Sequence, residues 1–285
     1  MGSPRVNAGL RRTAREWRRI LRERNIRPSR AMGQNFLVDA RIAARMADVA
    51  GILPDDVVVE IGPGMGILTR ELLARGARVI GVELDHDLAA FLREDLRDVP
   101  TFTLVEQDAR YVDVSALTAG RRYQVVANLP YSVATVIIRH FMESPTPPAR
   151  MTVMVQREVA ERMTAGPPEM SLLGLAVGLY ADATIAFIVP PDVFLPPPKV
   201  ESAVVILEVR PTLPGDATLR ARMFELATMA FQRKRKTVGN GLAMGLGMPK
   251  SEVEAALRSS GIDPMRRPQT LGVDEWLRLA GALAA

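Results

Sequence analysis

The sequence of 285 residues predicts an α/β fold, a mostly parallel sheet of seven strands with helices on both faces, followed by a small α-helical domain. Three observations support this fold class. Short apolar runs alternate with helical patterns over the first two thirds of the chain, which is typical of a parallel sheet with crossover helices. A linker-like segment, PTLPGD at 211–216, then interrupts the alternation. After this segment the apolar residues recur only at helical spacing.

The predicted elements begin with a helix over 40–51. The run VVVEIGPGMGILTRELLARG contains the first strand, a glycine turn and a helix that Gly76 closes. Six further strands follow: ARVIGVELD, TFTLVEQD, YQVVANLPY, RMTVMVQ, ATIAFIVP and ESAVVILEVR. Helices are predicted after the second, fourth and fifth strands of the series. No helical segment separates the last two strands, so they can form an antiparallel hairpin around PPDVFLPPP.

Both ends of the chain are helical and basic. After the linker the predicted helices are RARMFELATMAFQRKRKT, SEVEAALRSSG and VDEWLRLAGALA. Between Arg5 and Arg30 ten arginines stand against two acids, and an apolar helical stripe includes Leu10, Trp17 and Leu21. We therefore predict a basic N-terminal helix or arm over 1–30, the main domain over 31–211 and a helical domain over 212–285.

Composition excludes several classes of protein. The chain has no cysteine, which removes disulfides, thiolate catalysis and zinc–thiolate sites. His86 and His140 are its two histidines, so no metal site is predicted. No apolar run is long enough for a membrane span, and we expect a cytoplasmic protein without a membrane partner. The net charge of +5 and the cluster QRKRKT at 232–237 favour a polyanionic partner, with a solvated basic surface as the alternative.

Glycines and acids follow the first three predicted strands. EIGPGMG places Gly62 and Gly64 in a Gly-x-Gly-x-Gly pattern, whereas the dinucleotide fingerprint would need glycine at Ile67. Glu83 ends the second strand and Asp108 ends the third. Ligands of open α/β sheets bind at the carboxyl ends of the strands, where one carboxylate can accept ribose hydroxyls and the other an adenine amino group. The pattern favours an adenosine-containing ligand over a purely structural turn.

The fourth strand ends in NLPY, residues 128–131. Proline cannot donate a ladder hydrogen bond, so the strand stops there. The side-chain carbonyl of Asn128 and the backbone carbonyl of Leu129 can accept the two hydrogens of an adenine N6 and so free its lone pair. Pro130 stiffens the turn, and Tyr131 offers a face on which a flipped-out base can stack. The alternative is an ordinary Asn-Pro turn with a buried tyrosine.

Together these motifs resemble a known family. GQNFLVD at 33–39, EIGPGMGILT, ANLPY, FLPPPKVESAVV and QRKRKT resemble the ribosomal RNA adenine dimethyltransferases of the bacterial KsgA (RsmA) type, from about residue 10 to the end. The resemblance implies a class I methyltransferase, a Rossmann-like seven-stranded sheet with a small α-helical C-terminal domain, and S-adenosylmethionine as cofactor. The cofactor-binding residues that it implies are Asn35, Leu37, Gly62, Gly64, Glu83, Leu84, Asp108, Ala109 and Asn128.

The resemblance also implies a reaction and a partner. Methyl groups would pass to N6 of two adjacent adenosines in the 3′-terminal hairpin of 16S ribosomal RNA, within the immature 30S subunit. The sequence shows no heptad pattern, and we expect a monomer. The implied catalytic residues are Asn128, Leu129, Pro130, Tyr131 and Phe194. Phe194 would cover the face of the base opposite Tyr131, unless it only plugs its loop. The implied RNA-binding residues are Arg233, Lys234, Arg235 and Lys236.

The chain departs from the family pattern in two places. Met170 and Ser171 stand where tyrosine and glycine are usual, and SVAT at 132–135 stands where NIST is frequent; both changes concern RNA-side contacts and efficiency. Two other functions stay open. A 23S RNA adenine N6-methyltransferase of the macrolide-resistance type commonly carries NIPY rather than NLPY. A non-catalytic ribosome-assembly factor that binds RNA would not need the intact glycine turn, Glu83, Asp108 and Asn128.

Overall fold

The computed structural model describes residues 12–24, 26, 28 and 34–283 of the chain. The strands are β1 (Phe36–Leu37), β2 (Val57–Ile61), β3 (Arg78–Glu83), β4 (Phe102–Glu106), β5 (Gln124–Asn128), β6 (Arg150–Gln156), β7 (Ala181–Val189), β8 (Phe194–Leu195) and β9 (Ser202–Val209). The helices are α1 (Ala14–Glu23), α2 (Ala40–Ala50), α3 (Ile67–Ala74), α4 (His86–Asp95), α5 (Val114–Thr118), α6 (Ala134–Met142), α7 (Arg157–Thr164), α8 (Leu172–Tyr180), α9 (Ala217–Phe231), α10 (Val238–Leu246), α11 (Lys250–Ser259) and α12 (Val273–Ala282). None of the helices described is long and apolar enough to cross a membrane.

Seven of the described strands form one sheet, in the order β4-β3-β2-β5-β6-β9-β7. The pairs among β2 to β6 are parallel, whereas β9 runs antiparallel to β6. Six of the seven predicted strand runs contain one of these strands, and the run ATIAFIVP overlaps β7, which begins at Ala181. The predicted final pair, β7 and β9, are neighbours. The predicted seven-stranded α/β sheet is confirmed.

The order in which successive strands are added to the sheet reverses at β2. Strands β3 and β4 are added on one side of β2, whereas β5 and β6 lie on the other. In a doubly wound sheet such a reversal opens a crevice at the carboxyl ends of the two strands that flank it. The glycine turn after β2 and Asn128 at the end of β5 both lie at this crevice, where a ligand is expected.

A small two-stranded sheet lies beside the main one. Strand β1 pairs antiparallel with β8, with Phe36 opposite Leu195 and Leu37 opposite Phe194. These strands have two residues each, so no alternation marks them in the sequence. The pairing connects the segment before α2 to the proline-rich loop before β9.

The described chain divides into two compact units. The first comprises the described residues up to Ala160 together with Thr184–Val209, and the second comprises Glu161–Ala183 and the described residues from Arg210 onwards. The predicted boundary near residue 211 lies beside this division, but residues 161–183 are predicted in the main domain, whereas they belong to the second unit. Helix α8, within that segment, is apolar on nearly every side and shows no helical period. Its Leu175 and Leu179 are buried in the hydrophobic core of the second unit.

Candidate active site

A cavity of about 310 Å³ lies at the crevice between β2 and β5. Gly62 and Gly64 line it from the turn after β2, and Asn35 lines it from the segment before β1. The ends of β3, β4 and β5 supply further lining residues, which include Glu83, Leu84, Asp108, Ala109, Asn128, Leu129, Pro130 and Tyr131. The structure therefore brings together all but two of the residues predicted for the cofactor and the acceptor base, namely Leu37 and Phe194.

The glycine turn allows a ligand to approach the backbone closely. Gly62 and Gly64 have φ angles of 62° and 59°, in the left-handed region that residues with a Cβ rarely adopt. A Cβ on Gly62 would meet no atom within 4 Å, because this residue faces open space. A Cβ on Gly64 would lie 3.5 Å from the ring of Phe36. The backbone conformation at position 62 thus favours glycine, and the absence of a side chain there leaves the cavity open to a ligand.

Three backbone N–H groups hold the carboxylate of Glu83. Gly64 N donates to Oε2 at 2.9 Å, while Leu84 N and Asp85 N donate to Oε1 at 2.9 and 3.0 Å. The residue is 5% exposed, and burial raises the pKa of its carboxyl against the opposing effect of these hydrogen bonds. The bonds fix the orientation of the carboxylate and leave Oε2 with a lone pair for a ligand hydroxyl.

A second buried carboxyl belongs to Glu60 on β2. It is 1% exposed, and its Oε2 has no hydrogen-bond partner within the described part of the chain. Burial and, to a smaller extent, the charge of Glu83 raise the pKa of Glu60 to about 8. The protonated form of Glu60 is therefore favoured, and in that form it adds no negative charge beside Glu83.

Asp108 forms an ion pair with Arg110 two residues later. Arg110 Nη2 donates to Oδ2 at 2.6 Å, and its backbone N donates to Oδ1 at 2.9 Å. The guanidinium holds the pKa of Asp108 below its usual range, so the carboxylate is ionised. Arg110 also lines the cavity and is not among the predicted site residues. An arginine two residues after an acid at a strand end is the signal that could have indicated it.

Asn128 and Leu129 are each held by a hydrogen bond to another segment of the chain. Asn128 Nδ2 donates to the backbone oxygen of Asn35 at 3.4 Å, which leaves Oδ1 as the acceptor on the other branch of the amide. Leu129 N donates to Met154 O at 3.1 Å and so continues the ladder between β5 and β6. Pro130 O accepts from Val133 N at 3.2 Å. The turn that was predicted to hold two acceptors is therefore stiff.

The hydroxyl of Tyr131 is bound to Ser202. Its Oη lies 2.6 Å from Ser202 Oγ, at the first residue of β9, and Ser202 is fully buried. Burial raises the pKa of Tyr131. Ser202 is not among the predicted site residues, although a serine at the start of the apolar run SAVVIL is the signal that could have indicated it. This hydrogen bond limits rotation of the Tyr131 ring.

Leu37 and Phe194 lie outside the cavity lining. They face each other in the small sheet and are 5% and 2% exposed. Both belong to the core cluster of the first unit, together with Trp17 and Met65. In this conformation the Phe194 ring packs in the core beside the site and has no open face toward the cavity.

The basic cluster predicted to bind RNA lies in the second unit. It forms the turn between α9 and α10, where Lys234, Arg235 and Lys236 are exposed and Arg233 is half-buried. Thr237 caps the start of α10 by accepting from Asn240 N at 3.4 Å. Within the described ranges none of the four basic side chains forms an ion pair, so their charges are available to a ligand.

The sheet order and the cavity at its reversal point define a class I methyltransferase. Among solved structures, the 23S rRNA methyltransferase ErmE has a TM-score of 0.70 and 30% sequence identity, and the match covers 88% of this chain and 100% of that chain. A dimethyladenosine transferase from Plasmodium falciparum has a TM-score of 0.72 at 23% identity, covering 85% and 94%. This second likeness supports the fold.

The chain belongs to the ribosomal RNA adenine dimethylase family, whose model matches residues 25–285. The ribosomal RNA small subunit methyltransferase A of Moorella thermoacetica is 40% identical over 275 residues, which are 93% of this chain and 95% of that protein. The protein of the same name from Alkaliphilus metalliredigens is 39% identical over 273 residues, 93% and 95% of the two chains. The predicted family is confirmed.

Proposed function

We propose that the protein dimethylates N6 of two adjacent adenosines in the 3′-terminal hairpin of 16S ribosomal RNA, with S-adenosylmethionine as methyl donor, during small-subunit biogenesis. The observation that carries the proposal is the NLPY turn at 128–131, which lines the same cavity as Glu83 and Asp108. The names of the two relatives, both small-subunit methyltransferases, support the substrate. We further propose that it acts as a monomer in the cytoplasm, on the immature 30S particle.

The residues of the cavity fit this cofactor. S-adenosylmethionine supplies, when bound, a methyl group on a positively charged sulfur. Oε2 of Glu83 would accept from the ribose, and Asp108, kept ionised by Arg110, would accept from the adenine amino group. The left-handed turn at Gly62 would let the ligand approach the backbone. Asn35, Leu84 and Ala109 would complete the wall.

The NLPY turn would orient the acceptor amine. An adenine N6 is a weak nucleophile because its lone pair is delocalised into the ring. Asn128 Oδ1 and the Leu129 carbonyl would each accept one N6 hydrogen, and this would direct the lone pair toward the methyl group. The contacts of Asn128 with Asn35 and of Leu129 with Met154 hold both acceptors before the base arrives.

The amine needs no general base before transfer. It loses one proton for each methyl group that it gains, and it loses that proton after it has become cationic. Tyr131 is unsuited to take the proton, because burial raises its pKa and its hydroxyl is bound to Ser202. The proton therefore passes to solvent.

Tyr131 would instead serve as the stacking surface. Base stacking on an aromatic ring contributes about 1–3 kcal/mol, which offsets much of the energy of extracting the base. Phe194 would cover the other face of the base only if the small sheet of β1 and β8 shifted, since its ring is buried. In the second unit, Arg233 to Lys236 would bind RNA phosphates.

The test of this function uses tritiated S-adenosylmethionine with 30S particles that lack the modification, and naked 23S RNA as a second substrate. Label in the 3′-terminal adenosines of 16S RNA is the expected result. Label in 23S RNA alone would favour the ErmE-like activity, which the 30% identity to that enzyme keeps as the second candidate. A folded protein that labels neither RNA would indicate a non-catalytic assembly factor.

A Ser202→Ala variant is expected to lower the turnover number about two- to tenfold, because one hydrogen bond contributes about 0.5–1.5 kcal/mol. If Ser202 acts by holding Tyr131, the same substitution should have no further effect in a Tyr131→Phe protein. Thr152→Ala is the matched control, since Thr152 is a fully buried hydroxyl residue on the neighbouring strand β6 with no partner among the described residues. Additive losses in the double variant would contradict the role of Ser202.

A further inference from the structure

Helix α1 is held firmly on the first unit, although it lies before residue 25, where the match to the family model begins. A capping box starts the helix: Thr13 N donates to the Glu16 carboxylate at 2.6 Å, and Glu16 N donates to Thr13 Oγ1 at 3.3 Å. Trp17 and Leu21 are 1% and 6% exposed and belong to the core cluster of this unit. The helix is therefore part of the folded unit.

Three arginines secure this position. Arg12 forms two hydrogen bonds with Asp95 at 2.5 and 3.0 Å, and Arg24 forms two with Glu94 at 2.8 and 2.7 Å. Arg70 also pairs with Asp95. The guanidinium carbons of Arg12 and Arg70 lie 5.0 and 4.9 Å from the centroid of the Trp17 ring. Arg12 and Arg24, the basic residues that flank α1, therefore attach the helix to the rest of the unit.

The remaining arginines of α1 form an outward face, which comprises Arg15, Arg18, Arg19 and Arg22. At 100° per residue these positions cover an arc of about 100° on the side away from Trp17 and Leu21. All four are exposed. Both acids of the helix are already engaged, Glu16 in the cap and Glu23 at 3.6 Å from Arg19. Considering the described residues, Arg15, Arg18 and Arg22 have no acidic partner.

We infer that the outward face of α1 binds RNA phosphates. The choice of RNA as the polyanion rests on the proposed function. Guanidinium groups stay charged and match phosphate oxygens in pairs. A docked helix presents them without the ordering cost of a flexible tail. An anionic membrane fits less well, because the apolar residues Trp17 and Leu21 that would insert into lipid are buried.

The face is also connected to the wall of the cavity. Arg70, which packs on Trp17, donates to the backbone oxygens of Met65 and Gly66 at 3.1 and 2.7 Å, in the turn that follows β2. RNA bound on α1 is thereby held on the same rigid core that carries Gly62 and Gly64.

The test compares two variants that lose equal charge. Arg15→Gln/Arg18→Gln removes two guanidinium groups of the face with little change in helix propensity. Arg121→Gln/Arg122→Gln removes two exposed arginines that precede β5, at the amino end of the sheet. Affinity for unmethylated 30S particles is measured between about 50 and 200 mM salt, the range in which phosphate contacts are most evident. Methylation of the same particles is measured separately.

We expect the α1 variant to reduce the slope of log affinity against log salt by about 1.4–1.8, or about 0.7–0.9 for each phosphate contact. The slope of the control should stay at the wild-type value. A wild-type slope in the α1 variant, or equal reductions in both variants, would overturn the inference while methylation by the wild type still supports the proposed function. Loss of binding to phosphatidylserine vesicles without any change for RNA would overturn it too.

Discussion

An Asn128→Ala variant is expected to lose about 10²- to 10³-fold in the rate of methyl transfer, which is the usual effect of removing one preorganised hydrogen-bonding group at the reacting atoms. Asn128 Oδ1 is the side-chain acceptor proposed for N6. The Leu129 carbonyl cannot take over its role, because each acceptor is placed for one of the two hydrogens. Single-turnover rates at saturating cofactor isolate this step from binding.

Gln124→Ala is the matched control for this variant. Gln124 is an amide residue on the same strand, at the end opposite the cavity, and we expect its replacement to leave the rate unchanged. Titration calorimetry with S-adenosylmethionine should show binding by both variants. A wild-type rate for Asn128→Ala would remove Asn128 from the acceptor site, whereas equal losses in the two variants would show that any change in β5 is damaging.

The cavity could be predicted because its residues follow from local pattern and topology together. Each of the strands β2 to β5 is a short, largely apolar run with a glycine, an acid or an amide at its end or within two residues after it. Parallel pairing brings these ends to one edge. Nothing more is needed to place Gly62, Glu83, Asp108 and Asn128 around one cavity, which is where the structure has them.

The residues that could not be predicted depend on contacts distant in sequence. Ser202 lies 71 residues from Tyr131, and only the antiparallel placement of β9 beside β6 brings it near the turn. The burial of Phe194 depends on the pairing of two strands of two residues each, in which Phe194 lies opposite Leu37, 157 positions earlier in the chain. Neither contact leaves a periodic signal. Helix α8 could not be predicted for another reason, because a helix that is apolar on all sides has no amphipathic pattern in its sequence.

The Glu83→Gln variant is expected to bind S-adenosylmethionine about 100-fold more weakly than the wild type. A hydrogen bond to a charged acceptor contributes about 1.5–3 kcal/mol, and each 1.4 kcal/mol corresponds to a tenfold change in affinity. Glutamine also has one acceptor oxygen in place of two, so its amide group would face one of the backbone donors from Gly64, Leu84 or Asp85. Calorimetry measures the dissociation constant directly.

Glu106→Gln is the matched control for this variant. Glu106 stands opposite Glu83 on the neighbouring strand β4, but it pairs with His86 and Arg93 and lies outside the cavity lining. Its replacement should leave cofactor affinity unchanged. Equal weakening in both variants would point to a general effect of charge at this edge of the sheet, and an unchanged affinity of Glu83→Gln would remove Glu83 from the cofactor site.

The pH dependence of cofactor affinity separates Glu83 from Asp108. Burial raises the pKa of Glu83 in the free protein, whereas donors on the ligand favour its ionised form. The affinity of the wild type should therefore fall as the pH decreases through this raised pKa. The Glu83→Gln variant has no proton to gain there, and its profile should stay flat until Asp108, whose pKa Arg110 lowers, is protonated at more acidic pH. Parallel profiles for the two proteins would assign the titration to a different group.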